Sequence, residues 1–163
     1  MTMAGQWSYN PNDVYKPARD IIRMLVEVVA KGGNYLLNIG PSPEGELPPD
    51  SLKRLEEIGA WMKLNGRAIY KTRPIPPYGE GKLRYTSLRD GTAFALYVAD
   101  PAEEAPPARV TLTSLRPKKG TKVSLLGCAE PVRWESAGAG AVLHVPASAV
   151  KTPPCRYVWV FQF

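Results

Sequence analysis

Apolar residues recur at helical spacing in the first third of the chain and at alternate positions in its second half. Ile21, Ile22, Leu25, Val28 and Val29 form one stripe, which predicts a helix over 16–31. Pro17 suits its first turn, where the missing N–H costs nothing. Asp20 stands near the positive end of the helix dipole, and Gly32-Gly33 ends the helix after Lys31. Asn34–Gly40 is short and mostly apolar and follows a glycine break, the pattern of a strand buried on both faces. After a Pro- and Gly-rich loop, Leu52, Leu55, Ile58, Trp61 and Met62 predict a second helix over about 50–64, stopped by Asn65-Gly66. A further strand is expected within Met1–Ser8.

Helix, buried strand, helix is the repeat of an α/β fold. Two parallel strands cannot close a barrel, which takes roughly 200 residues or more. The segment therefore reads as the last one or two βα units of something larger, or as a piece whose open side another chain covers. Arg73–Gly79 is proline-rich and reads as a stiff linker. Beyond it the period becomes two, with strands expected at 82–87, 92–98, 109–113, 121–126, 131–135, 140–145 and 156–163. In the last of these, Tyr157, Trp159, Phe161 and Phe163 alternate with Arg156, Val158, Val160 and Gln162. Seven short strands at this pace suggest an antiparallel β-sandwich. The expected fold class is α+β: a partial (β/α) barrel segment over 1–74, then a β-sandwich over 75–163.

Composition narrows the chemistry. The 163 residues are 44% hydrophobic and carry a formal net charge of +6. The densest basic cluster, Arg116, Lys118, Lys119 and Lys122, reads as a charged turn between strands, and no nucleic-acid-binding motif accompanies it. Cys128 and Cys155 are free thiols or, if they face each other across adjacent strands, a pair. His144 is the single histidine, so neither a zinc site nor a triad base is expected, and no cofactor motif occurs. No apolar run approaches the roughly 18 residues of a membrane span. The N-terminal residues do not form a signal peptide, so a cytoplasmic chain is expected.

Catalysis by local carboxylates would need a close pair, about 5–5.5 Å apart for a retaining displacement or about 6.5–9.5 Å for an inverting one. Glu44 and Glu46 are the candidates, because they follow the Asn38-Ile39-Gly40 strand at the end where barrel sites form. Acidic residues are common in such a loop, and helix capping and solvation explain them well. Glu56-Glu57 and Glu103-Glu104 read as solvated faces, and Asp13 as a charge preceding the first helix.

Two segments carry a resemblance. Met3-Ala4-Gly5-Gln6-Trp7-Ser8-Tyr9-Asn10-Pro11-Asn12-Asp13 is one. Lys31-Gly32-Gly33-Asn34-Tyr35-Leu36-Leu37-Asn38-Ile39-Gly40-Pro41 is the other, extended by Glu44-Gly45, Ile58-Gly59-Ala60-Trp61 and Asn65-Gly66-Arg67-Ala68-Ile69-Tyr70. From about residue 3 to Pro74 the chain resembles the C-terminal end of the catalytic domain of glycoside hydrolase family 29, the retaining α-L-fucosidases. The resemblance implies a (β/α)₈-like barrel followed by a β-sandwich, and double-displacement hydrolysis of α-L-fucosides by two carboxylic residues. It also implies that the nucleophile, the acid/base and the hydroxyl-binding histidines lie upstream of the matched segment. Trp7 matches the aromatic residue of the family's Trp-Gly-Tyr-Asn segment, which packs against the fucose ring, with Ser8 in place of the usual glycine.

The expected function is thus the C-terminal part of an α-L-fucosidase, active with a complementing N-terminal barrel chain or as a homo-oligomer. The alternative is a non-catalytic module for binding fucosylated glycans or for assembly, with Tyr97, Trp134, Tyr157 and Trp159 as its aromatic platform. Neither nucleic acid nor membrane is expected as a partner.

Overall fold

A computed structural model describes residues 1–163. Helix α1 spans Ala18–Ala30 and α2 spans Pro49–Asn65, closed by a single 3₁₀ turn over Gly66–Ala68. The strands are β1 (Arg73–Glu80), β2 (Leu83–Ser87), β3 (Ala93–Val98), β4 (Arg109–Leu112), β5 (Val123–Leu125), β6 (Pro131–Ala137), β7 (Gly140–His144) and β8 (Val158–Gln162). A short helix α3, Ala147–Lys151, separates β7 from β8.

Both predicted helices form. Pro17 is the residue that caps α1, and Gly32 leaves the helix at φ +81°, a conformation that favours glycine. The α1 stripe is buried along its length through Ile21, Ile22 and Val26. The α2 stripe is buried only in its C-terminal half. Trp61 and Asn65 are covered, whereas Leu52 and Leu55 are exposed; only the C-terminal turns of α2, through Ile58, Trp61 and Met62, pack on the sheet.

Asn34–Gly40 departs from expectation. The segment is extended, but it makes one parallel bridge, Asn38 beside Thr2, and Leu36 is 72% exposed. The Met3 N–H donates to the Asn38 carbonyl and the Asn38 N–H to that of Met1, both at 2.9 Å. No other strand of this chain lies alongside, so Leu36 stays open on one face while Tyr35, Leu37 and Ile39 on the other are half-buried.

The proline-rich segment read as a linker is instead strand β1. Its two ends pair with β2, through Arg73 and Pro74 and then through Gly79 and Glu80, with a register shift between them. The strand lies at the sheet edge, where a proline's missing N–H leaves no ladder bond unmade. Eight strands, rather than seven, form one antiparallel sheet in the order β1-β2-β3-β8-β5-β6-β7-β4.

The sheet curls over a core to which β2 through β8 all contribute, centred on Tyr85, Leu112, Leu143, Trp159 and Phe161. The central strand β8 is buried on both faces. Trp159 and Phe161 enter that core, while Val158 and Val160 join Phe94 and Leu96 under Ile22, Val26 and Trp61 of the helices. Burial of each such side chain stabilises by about 1.5–3 kcal/mol. Trp61 Nε1 adds a buried hydrogen bond to the Val158 carbonyl at 2.9 Å, and Thr86 Oγ1 donates to the Ala68 carbonyl at 2.8 Å. The helical segment is therefore bonded to the outer face of the sheet as well as packed on it.

The two edges of the sheet meet at one carboxylate. Glu80, at the end of β1, accepts from the Tyr85 hydroxyl, from the N–H and hydroxyl of Thr113 just beyond β4, and from Ser114 Oγ at 2.6 Å. Partial burial opposes its charge, but the hydrogen bonds from Ser114, Thr113 and Tyr85 prevail and pull its pKa down to about 2. The carboxylate thus joins β1 to β4, which share no backbone ladder.

Candidate functional site

The parallel bridge brings two loops to the same end of the structure. Residues 4–13 follow the first extended segment and residues 40–48 follow the second. In parallel α/β architectures, ligand sites form at this end of the strands. Asn38 Nδ2 donates to the Trp7 carbonyl at 2.8 Å, tying one loop to the other. Gly40 permits the close approach: a Cβ there would lie 2.6 Å from the Tyr9 nitrogen and 2.7 Å from the Ser8 carbonyl carbon.

Asp13 organises the first loop from within. It accepts from the N–H groups of Gly5, Gln6 and Val14 at 3.0, 2.9 and 2.9 Å. The Gln6 bond is the largest influence holding its carboxyl below the usual range. The sequence suggests a charge preceding α1; the structure makes Asp13 the clamp of the loop that carries Trp7. Trp7 itself is 62% exposed.

Glu44 and Glu46 lie in a tight turn. Ser42 N–H donates to the Glu46 carbonyl at 2.8 Å, and Gly45 adopts φ +86°. A hydrogen bond from Ser42 holds the Glu44 carboxyl below the usual carboxylate range. A general acid needs the opposite shift. Both glutamates border a recess of about 400 Å³ with Tyr9, Asp13, Tyr15 and Asp50; Trp7 is not in its wall. Sequence reasoning missed Tyr9, Tyr15 and Asp50 as neighbours of this turn, because only the loop closure brings them there. No group of three or more acidic, histidine or cysteine side chains is placed to hold a metal ion.

A cavity of about 650 Å³ lies elsewhere, between α2 and the segment before β8, lined in part by Glu57, Trp61, Leu64, Cys155 and Tyr157. It holds a single carboxylate, and that one is engaged by Arg54 and by the Tyr157 hydroxyl. Cys155 there is a free thiol, as is Cys128; burial pushes Cys155 up to about 11.

The aromatic side chains of the β region are occupied by their own protein. Trp159 is fully buried and donates to the Cys155 carbonyl at 3.0 Å. Trp134 donates to the Thr121 carbonyl at 3.1 Å, and the Tyr97 hydroxyl to Glu103 at 3.0 Å. No helix is long and apolar enough to cross a membrane.

Comparison with known proteins places both halves of the chain. The family profile described as alpha-L-fucosidase matches residues 1–67, and that described as alpha-L-fucosidase C-terminal domain matches residues 79–163. An alpha-L-fucosidase of Branchiostoma floridae is 33% identical over 152 residues, covering 91% of this chain and 33% of that protein. The human tissue alpha-L-fucosidase is 30% identical over 147 residues, covering 88% of this chain and 30% of its own length. The crystal structure of Thermotoga maritima alpha-fucosidase superposes with a TM-score of 0.82 at 25% identity, over 99% of this chain and 37% of that one. Isoenzyme 1 from Paenibacillus thiaminolyticus superposes with a TM-score of 0.81 at 28% identity, over 99% and 38%. The chain spans about a third of the length of the curated relatives it matches.

Proposed function

The chain belongs to the α-L-fucosidase family, and from that premise we propose that it supplies the C-terminal part of a retaining α-L-fucosidase. In this reading residues 1–74 complete a (β/α)₈-like catalytic barrel and residues 75–163 form the β-sandwich behind it. A complementing barrel segment on a second, different chain brings the nucleophile, the acid/base and the groups that hold the sugar hydroxyls. Trp7 forms the rim of the fucose pocket, its indole face against the apolar C–H side of the ring.

The observation that carries the proposal is the Thr2–Asn38 parallel bridge. Two short extended segments pair in parallel there, as neighbouring barrel strands do, and Leu36 beside the bridge is exposed; in a barrel the loops that follow such strands border the active site. The reaction is double displacement. One carboxylate attacks the anomeric carbon as the second protonates the departing alcohol, and water then hydrolyses the fucosyl-enzyme with that second group acting as base. Glu44, stabilised as the anion by Ser42, is unsuited to the proton-donating role.

The test uses p-nitrophenyl α-L-fucoside. The purified chain alone should release no more p-nitrophenol than buffer does. Co-expressed with the N-terminal two thirds of the Branchiostoma floridae relative, it should restore turnover, and Trp7→Ala should then raise KM with a smaller effect on kcat. Robust turnover by the chain alone, lost in Glu44→Gln or Glu46→Gln, would transfer the chemistry to those local carboxylates and refute the proposal.

A further inference from the structure

We propose that the outer face of β5, β6, β7 and β4 binds a sulfated or carboxylated glycan chain through a row of basic side chains beside a shallow recess. The site is separate from the Trp7 loops. It rests on the family reading only in choosing carbohydrate as the carrier of the anions.

The row follows from the register. Val110, Leu112, Val123, Val132, Ala141 and Leu143 point into the core. The two-residue period of a strand therefore turns Arg109, Lys122, Arg133 and His144 to the opposite face. Arg109 pairs with His144 across β4 and β7, and His144 pairs with Arg133 across β7 and β6. Lys122 precedes Val123, the partner of Val132, so it extends the row on the side of β5. With strands about 4.8 Å apart, the two arginines stand roughly 10 Å from each other and the whole row covers roughly 14 Å.

The row is open and only partly compensated. Arg109, Lys122 and Arg133 are exposed, and none has a carboxylate partner. Glu135 bonds the His144 ring at 3.2 Å and is the single acid paired with any member of the row. Like charges gathered across neighbouring strands destabilise a sheet, and a bound polyanion relieves that repulsion. Beside the row lies a recess of about 580 Å³, bordered by Glu130, Pro131, Arg133, His144, Val145 and Pro146. Its volume falls within the range of small-ligand sites, about 300–1,000 Å³. Pro131 and Pro146 offer apolar walls to the C–H face of a sugar ring. Glu130 offers an acceptor to its hydroxyls.

Carbohydrate suits this face better than nucleic acid. The exposed large apolar side chains, Trp7, Tyr9, Tyr70 and Tyr78 among them, all lie off these four strands, so the face lacks the stacking platform of single-strand binders. The helix that borders the recess, α3, has five residues, too few to read a duplex groove as a recognition helix does.

The full chain is titrated with dextran sulfate and with unmodified dextran. We expect binding to the first alone. Arg109→Gln/Arg133→Gln should weaken it by about tenfold or more, through loss of two charge-assisted contacts. Lys118→Gln/Lys119→Gln removes the same charge from a neighbouring turn and should change it less than about twofold. Thermal melting of both double variants confirms that they fold. Equal losses in the two variants, absence of binding, or competition by duplex DNA as strong as by dextran sulfate would each overturn the proposal. None of these measurements involves hydrolysis. A chain that binds with this pattern yet fails in the complementation assay upholds this site and refutes only the catalytic reading.

Discussion

Replacing Glu80 by glutamine should open the curled sheet at its seam. Glutamine keeps the shape of the side chain but removes the charge, and its amide turns donors toward Tyr85, Thr113 and Ser114, which are themselves donors. Partial burial costs the Glu80 carboxylate stability, and its hydrogen bonds return more than that, holding the folded-state pKa at about 2 against an ordinary 4.5. At about 1.4 kcal/mol for each tenfold change in proton affinity, the displacement corresponds to about 3 kcal/mol at full strength. Thr113 and Ser114 are exposed, and solvent screening roughly halves the figure, to about 1.5 kcal/mol. For a chain of this size that is a fall in Tm of about 3–6 °C at neutral pH.

The pH dependence has a definite sign. The unfolded chain binds the Glu80 proton more tightly than the folded one, so this stability is complete above the ordinary pKa of 4.5 and is lost as pH falls toward about 2. Parent and Glu80→Gln, compared by urea denaturation from pH 7 down to pH 2, should differ most at neutral pH and converge across that window. Equal stabilities at pH 7, or a difference that survives unchanged to pH 2, would refute the clamp.

Three further outcomes are expected. Gly40→Ala places a methyl against the backbone of Ser8 and Tyr9; it should cost about 1–3 kcal/mol as an overpacked contact and alter Trp7 fluorescence, both absent if the loop lies elsewhere. Trp61→Phe removes the donor to the Val158 carbonyl in a buried site and should cost about 1–3 kcal/mol in chemical denaturation; a neutral result would mean that this bond does not help to hold the helices on the sheet. Cys155, its thiol pushed up to about 11 by burial, holds little thiolate at pH 8 and should react with a disulfide reagent roughly a hundredfold more slowly in the folded chain than in urea.

What the sequence discloses depends on whether a partner surface is local. The α1 stripe is legible because its partner runs the whole length of the helix. Leu52 and Leu55 continue the α2 stripe at the same spacing, yet spacing cannot say which turns of a helix find a partner. Pro74, Pro76 and Pro77 disguise an edge strand as a linker, because the ladder bonds that prolines forgo are unneeded at an edge. The aromatic face of β8 is plain in the alternation of Trp159 and Phe161. That Val158 and Val160 are equally buried follows only from where the helices dock. At the candidate site, Trp7 is legible through its motif. The Asp13 clamp is not, since its bond to Gly5 spans eight residues and no periodicity marks it.

The position of β8 has a consequence for synthesis. This strand lies between β3 and β5, and the ribosome makes it after every other strand. Until it emerges, the nascent β region has only two disconnected sets to work with, β1-β2-β3 and β5-β6-β7-β4, each ending in an unpaired edge. Neither the interior of the curl nor the seat of the helices is complete without Trp159, Phe161, Val158 and Val160. Assembly is therefore late and dominated by distant contacts. During translation the chain carries two adhesive strand edges that a chaperone must shield or that a neighbouring nascent chain can capture.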